Sequence, residues 1–138
     1  MKSRLALLLT LTMVLGQIRM LGQPDTWTDP ATKLMWAGQD NGSDVDWNSA
    51  VNYCKTLRLG GHANWRLATI DELEGIYDPT QDVNGYHIKG GIRVSDVVWS
   101  SSDRLFGEAW GFNFKDGQRT SNPTDFDFRS RAVCVRRS

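Results

Sequence analysis

The feature that most constrains this chain is its pair of cysteines, Cys54 and Cys134, the only two it has. A bridge between them would force a residue near the middle of the chain to lie beside one close to its end. Whether they are joined depends on the compartment in which the protein folds. The first residues bear on that. Lys2 and Arg4 give a positive start, Leu5 to Gly16 form an apolar stretch, and Gly16 and Gly22 are small residues suited to positions before a cut. The stretch is too short to span a bilayer, which takes roughly 20 apolar residues. The sequence therefore predicts an export signal over residues 1–22, rather than a retained anchor or a buried N-terminal helix, followed by a single domain over residues 23–138. Arg19 leaves the cleavage point open, and the absence of a cysteine near the junction argues against a lipidated anchor. In an oxidising compartment an even cysteine count predicts a Cys54–Cys134 disulfide. Metal ligation is disfavoured, because neither cysteine has a CxxC partner or a histidine close by.

A chain of 138 residues supports one hydrophobic core. Its 16 basic and 16 acidic side chains balance, so no global field draws it to nucleic acid or to an anionic membrane. A secreted, periplasmic or cell-envelope location is expected, with no stable membrane insertion once the signal is removed. Six tryptophans are many for this length, and tryptophan serves both cores and binding surfaces.

Thr26 to Gly38 reads as two short strands around a turn at Asp29-Pro30, where proline presets the backbone and aspartate caps it. A polar loop follows. Trp47, Ala50, Val51, Cys54 and Leu57 then fall on one helical face, with Asp46 as N-cap and Gly60 as the residue beyond the C-cap, predicting a helix over 47–59 with Cys54 inside. Thr69 followed by Glu72 is a capping box and predicts a second helix over 70–77, burying Ile70, Leu73 and Ile76 or Tyr77. Residues 78–95 read as a long glycine-containing loop, of the kind that is functional or mobile. Val97 to Ser102, the alternating segment 108–120 with its turn at Asp116-Gly117, and the alternating segment 130–137 carrying Cys134 read as strands. Strands, two helices, a long loop and then an antiparallel set make an α+β pattern.

Several of these segments together resemble a known family. Trp27 to Trp36, Trp47 to Cys54, Leu57 to Leu73, Val98 to Ser102 and Arg131 to Arg136 are similar to the Lcl C-terminal domain family, bacterial extracellular domains named after a collagen-like adhesin. The most specific parts are Trp65-Arg66-Leu67 with Glu72-Leu73, and the closing Cys134-Val135-Arg136. The resemblance implies a C-type lectin-like fold, shared with the formylglycine-generating enzyme, in which two helices pack on a small twisted antiparallel sheet with long loops. It also implies that a helix cysteine pairs with one in the last strand. The chain departs from the family in having Ala68 for a common proline, which should loosen the start of the second helix slightly, and Lys33 for a common glycine, which suggests a different turn.

No catalytic residue emerges. His62 and His87 are the only histidines, neither has a serine or cysteine nucleophile arranged with it, and both cysteines are assigned to the bridge. Nor is a metal site or a cofactor expected. Asp40, Asn41, Asp44 and Asp46, then Asp78, Asp82 and Asn84, then Asp125 and Asp127 are oxygen-rich groups, but none follows a calcium-loop spacing, and such residues mostly form turns and caps. Trp36, Trp47, Trp65, Arg66, Glu72 and Trp99 are read as structural. In lectin-like folds the ligand face is formed by long loops and the strands beside them, which here means residues 78–95 and 100–128. Within the second stretch Arg104, Phe106, Trp110, Arg119, Asn122, Asp125, Phe126 and Asp127 form the expected recognition surface. Phe112 and Phe114 are assigned to the core. The expected function is a secreted, non-catalytic binding or adhesion module for an extracellular glycan or protein. Its alternatives are a display scaffold with diversified C-terminal loops and an enzyme related to formylglycine-generating enzymes.

Overall fold

The computed structural model describes residues 24–138, so the export signal expected over residues 1–22 lies outside the described part. β1 (Thr26–Thr28) and β2 (Leu34–Ala37) form the expected antiparallel hairpin. Asp29 turns it, with Oδ1 accepting from the Ala31 N–H at 2.9 Å. Lys33 adopts φ 63°, a region glycine favours, so the turn expected to differ instead keeps a glycine-like backbone, at a strain of about 1–2 kcal/mol for a lysine.

α1 (Trp47–Thr56) is N-capped by Asp46, which accepts from the Ser49 N–H at 2.8 Å. It stops three residues short of the expected end at 59. Leu57 is already extended, and Gly60 is not the residue beyond the cap. Gly60 (φ 59°) and Gly61 (φ 78°) are instead the centre of a two-residue turn across which Leu59 and His62 exchange both backbone hydrogen bonds. Two successive positive φ values explain the Gly-Gly pair. β3 (Arg66–Leu67) leads into α2 (Ile70–Gly75), where both halves of the Thr69/Glu72 capping box form; the helix ends before the expected residue 77.

Residues 78–95 are tied down along their length. Tyr86, Ile88, Ile92 and Val94 are buried, Tyr77 bridges Ile88, and Val83 bridges Tyr86. At Gly90, in a 3₁₀ turn (Lys89–Gly91), a Cβ would stand 2.1 Å from the Trp27 ring, so the segment is clamped against β1 at a point only glycine fits.

β4 (Val97–Arg104), β5 (Glu108–Asn113), β6 (Gln118–Pro123), β7 (Ser130–Arg131) and β8 (Cys134–Arg137) complete the chain. The α+β class holds, but the single small antiparallel sheet does not. There are two four-stranded sheets, ordered β1-β2-β8-β3 and β6-β5-β4-β7, and β7 runs parallel to β4. The strand expected through 130–137 is split between them, with the buried pair Ala132-Val133 crossing from one sheet to the other.

The core has two parts. Trp36, Leu73, Ile76, Ile88, Ile92, Phe112 and Phe114 pack together, while Trp65, Leu67, Trp99, Ala50, Ala109 and Ala132 surround the Cys54–Cys134 disulfide. Both faces of β5 are covered, since Phe112 belongs to the first group and Ala109 to the second. Of the tryptophans read as structural, Trp36, Trp65 and Trp99 are buried. Trp47 is half-buried and donates Nε1–H to the Ser100 carbonyl at 2.8 Å, while Trp99 donates to Val45. Arg66 and Glu72 form a two-point ion pair, Nη1–Oε1 2.7 Å and Nη2–Oε2 2.8 Å, fastening β3 to the start of α2.

Candidate functional site

Five segments meet over the second sheet and line an open cleft of about 250 Å³. Val97 and Asp96 open β4, Asn113 and Lys115 close β5, Asn122 lies on β6, and Tyr86 comes from the clamped loop. The 124–130 crossing supplies Phe126, Phe128, Arg129 and Ser130. The strand register places Asn113 and Asn122 on the same sheet face, with Gly111 and Thr120 between them. The floor is therefore polar and low, and the walls are aromatic.

Each wall is held from behind. Tyr86 is 9% exposed, and burial, with Asp96 nearby as a lesser cause, pushes its phenol above the ordinary value, so it stays a neutral hydroxyl near pH 7. The Lys115 ammonium sits 5.1 Å from the Tyr86 ring centre, a cation–π distance. Arg129 takes φ 53° and pairs through Nε with Asp96 Oδ2 at 3.3 Å; Asp96 also caps the Val97 N–H at 3.0 Å. Phe126 is half-buried against the disulfide side of the core and meets Phe128 edge-on at 6.4 Å, while Phe128 remains 61% exposed. Within the described residues the Asn122 carboxamide has no hydrogen-bond partner, whereas Asn113 Oδ1 accepts from the Lys115 N–H at 2.9 Å. The cleft thus offers stacking faces, a free carboxamide and an ammonium group.

Of the eight residues expected on the recognition surface, only Asn122 and Phe126 line the cleft. Arg104 lies over the Trp110 ring at 4.7 Å and bonds Ser121 Oγ at 3.1 Å, so these two form a separate, partly covered group on β4–β6. Arg119 is taken up by Asp71 at 2.8 Å and Glu74 at 2.6 Å, tying β6 to α2. Asp125 and Asp127 are exposed around Phe126. Phe106 stands at the β4–β5 tip, 98% exposed and at φ 67°, beside Leu105 at 76%. The tip is hydrogen-bonded to the crossing, since the Thr124 N–H donates to the Gly107 carbonyl at 2.9 Å.

Tyr86, Asp96, Asn113, Lys115, Phe128 and Arg129 were not among the expected site residues. The loop 78–95 belongs to the expected ligand face, yet nothing in its sequence singles out Tyr86. Asn113, Lys115 and Phe128 fall inside the expected stretch 100–128, and Arg129 lies just beyond its end.

Four of the acidic groups in the oxygen-rich stretches cap turns or tie segments together. Asp40 Oδ2 accepts from Ser95 N and Oγ, Asp44 pairs with Arg131, Asp78 caps Thr80, and Asp82 caps Gly85. Among the described residues no cluster of three or more His, Cys, Asp or Glu side chains is placed to hold a metal ion. His87 Nδ1 lies 2.7 Å from the Gln81 carbonyl and the ring meets Tyr77 edge-on; His62 lies in the Gly60-Gly61 turn. Ser130, the cleft's serine, donates to the Phe128 carbonyl at 3.2 Å.

The family model of the Lcl C-terminal domain matches residues 25–136. No curated protein matches the chain.

Proposed function

We propose that this chain, which belongs to the Lcl C-terminal domain family, is an exported, non-catalytic binding module that takes a glycan or protein ligand in the Tyr86–Phe126–Phe128 cleft. The observation that carries this reading is the cleft itself. Aromatic walls and an unpaired Asn122 carboxamide stand on a floor fixed by three strands, and binding sites combine apolar faces with a few placed polar groups in this way. The exposed Leu105–Phe106 tip supports it. Two adjacent apolar side chains, Leu105 and Phe106, project into solvent there, and Phe106 is held at φ 67°, a backbone region that is strained for a non-glycine residue.

Export is supported by the Cys54–Cys134 bridge, a feature of oxidising compartments. No described helix is long and apolar enough to cross a membrane. The lectin-like assignment is part of the same proposal; its support is the disulfide from α1 to the last strand and the pinned loop segment above the second sheet. The test is a glycan and extracellular-protein array probed with the oxidised protein. Binding that is lost on Asn122→Ala and Phe128→Ala supports the reading, and a ligand indifferent to both overturns it.

A further inference from the structure

The two sheets have four edges, and three are very short: β1 has three residues, β3 two and β7 two. Short edges are one of the ways proteins keep unpaired backbone groups from capturing other chains. β6 is the exception. It has six residues, pairs with β5 at every position from Glu108↔Pro123 to Asn113↔Gln118 with no bulge, and has no described strand on its outer side. Its guards are few and sit at its ends, where the Gln118 N–H donates to Asp116 Oδ1 and the Pro123 carbonyl accepts from the Phe126 N–H. β6 has no lysine, and its proline is the last residue. Its one charged side chain, Arg119, is drawn to Asp71 and Glu74 on α2. The same strand contributes Asn122 to the cleft, so the open edge and the cleft are continuous.

We infer that β6 is a docking edge for an extended peptide segment of a partner protein, which adds as a fifth strand and places its alternate side chains over the cleft. This rests on the reading of the cleft as a binding site and selects the protein side of it. The backbone of β6 supplies affinity without sequence preference, and the cleft supplies selectivity. Residues on the Asn122 side meet Phe126 and Phe128 and should be apolar or aromatic. Lys115 lies just beyond the Asn113↔Gln118 pair and has no carboxylate partner among the described residues, which favours an acidic residue at the Gln118 end. A second copy of the chain is the weaker occupant. A six-residue strand offers a strip about 20 Å long and one strand wide, well short of the roughly 800 Å² per partner that a specific dimer buries.

The experiment is selection of random linear peptides on the oxidised protein, followed by amide hydrogen exchange with each enriched peptide bound. Slowed exchange within residues 118–123 is expected. So is a dependence on backbone register: N-methylation of every second peptide nitrogen should weaken binding on the order of ten-fold or more in one register and little in the other. The inference is overturned if no peptide is enriched, if exchange at 118–123 is unchanged, or if both registers bind alike. A ligand that perturbs Tyr86, Phe128 and Arg129 but not β6 would leave the cleft standing and remove only the docking edge.

Discussion

Cys54, on the inner face of α1, and Cys134, the first residue of β8, lie 5.3 Å apart between Cα atoms and join the helix to the central strand pair of the first sheet. The bridge closes a separation of 80 residues, for which chain entropy estimates a stabilisation of about 4–5 kcal/mol. That is a large share of the stability of a small domain. Cys54→Ser should therefore lower the free energy of denaturant unfolding by that order. Non-reducing peptide mapping of exported protein should find the two cysteines joined; free thiols at both positions would remove the premise.

Trp65 and Phe106 should respond to truncation in opposite ways. Trp65 is 3% exposed, packs in the disulfide half of the core and donates Nε1–H to the His62 carbonyl at 3.1 Å. Trp65→Ala should cost on the order of 3–5 kcal/mol. Phe106 is 98% exposed, and Phe106→Ala should leave stability within about 0.5 kcal/mol. Thermal unfolding of the two variants checks both, and a collapse caused by Phe106→Ala would show that the tip is structural.

The Thr69/Glu72 box gives a pH dependence. The Arg66 hydrogen bond, aided by the Thr69 backbone against the opposing effect of burial, holds the Glu72 carboxyl below its ordinary value. The folded state then binds fewer protons than the unfolded one across that interval. The contribution of Glu72 is fully present above the ordinary glutamate pKa of about 4.3 and fades as pH falls through the lowered folded value. Denaturant titrations of wild type and Glu72→Gln should show the wild type's advantage at pH 7 shrinking below about pH 4. An advantage that grows in acid would contradict the assignment.

Much of this was legible because it is local. The Asp46 cap, the Thr69/Glu72 box and the Asp116-Gly117 turn each depend on residues a few positions apart, and all form. The errors lie where a neighbouring turn cuts short a periodic pattern or where a distant segment decides. α1 ends at Thr56 because Leu57 starts the run toward the Gly60-Gly61 turn, although the apolar spacing continues. Residues 130–137 alternate like one strand, yet Val45 N bonds Ser130 O and Asn41 Oδ1 accepts from Ala132 N, drawing the segment across between two sheets. The cleft was half legible. Asn122 and Phe126 stand out by type, but Tyr86 reaches it only because the 78–95 segment is clamped, and the turned backbone of Arg129 has no sequence mark. Arg119 looked like a contact residue; Asp71 and Glu74, some 45 positions away, claim it.

The measurement closest to the central claim is ligand affinity in Asn122→Ala and Phe128→Ala, with thermal unfolding recorded on the same samples. Asn122 has no hydrogen-bond partner among the described residues, and Phe128 is 61% exposed, so both variants should stay within about 0.5 kcal/mol of wild-type stability. The expected result is a loss of affinity on the order of ten-fold or more in each variant for whatever ligand the array identifies, because a cleft that uses them loses a stacking face or a polar contact worth about 1–2 kcal/mol. The contradicting result is wild-type affinity in both variants with the fold intact, which would place the ligand elsewhere on the molecule.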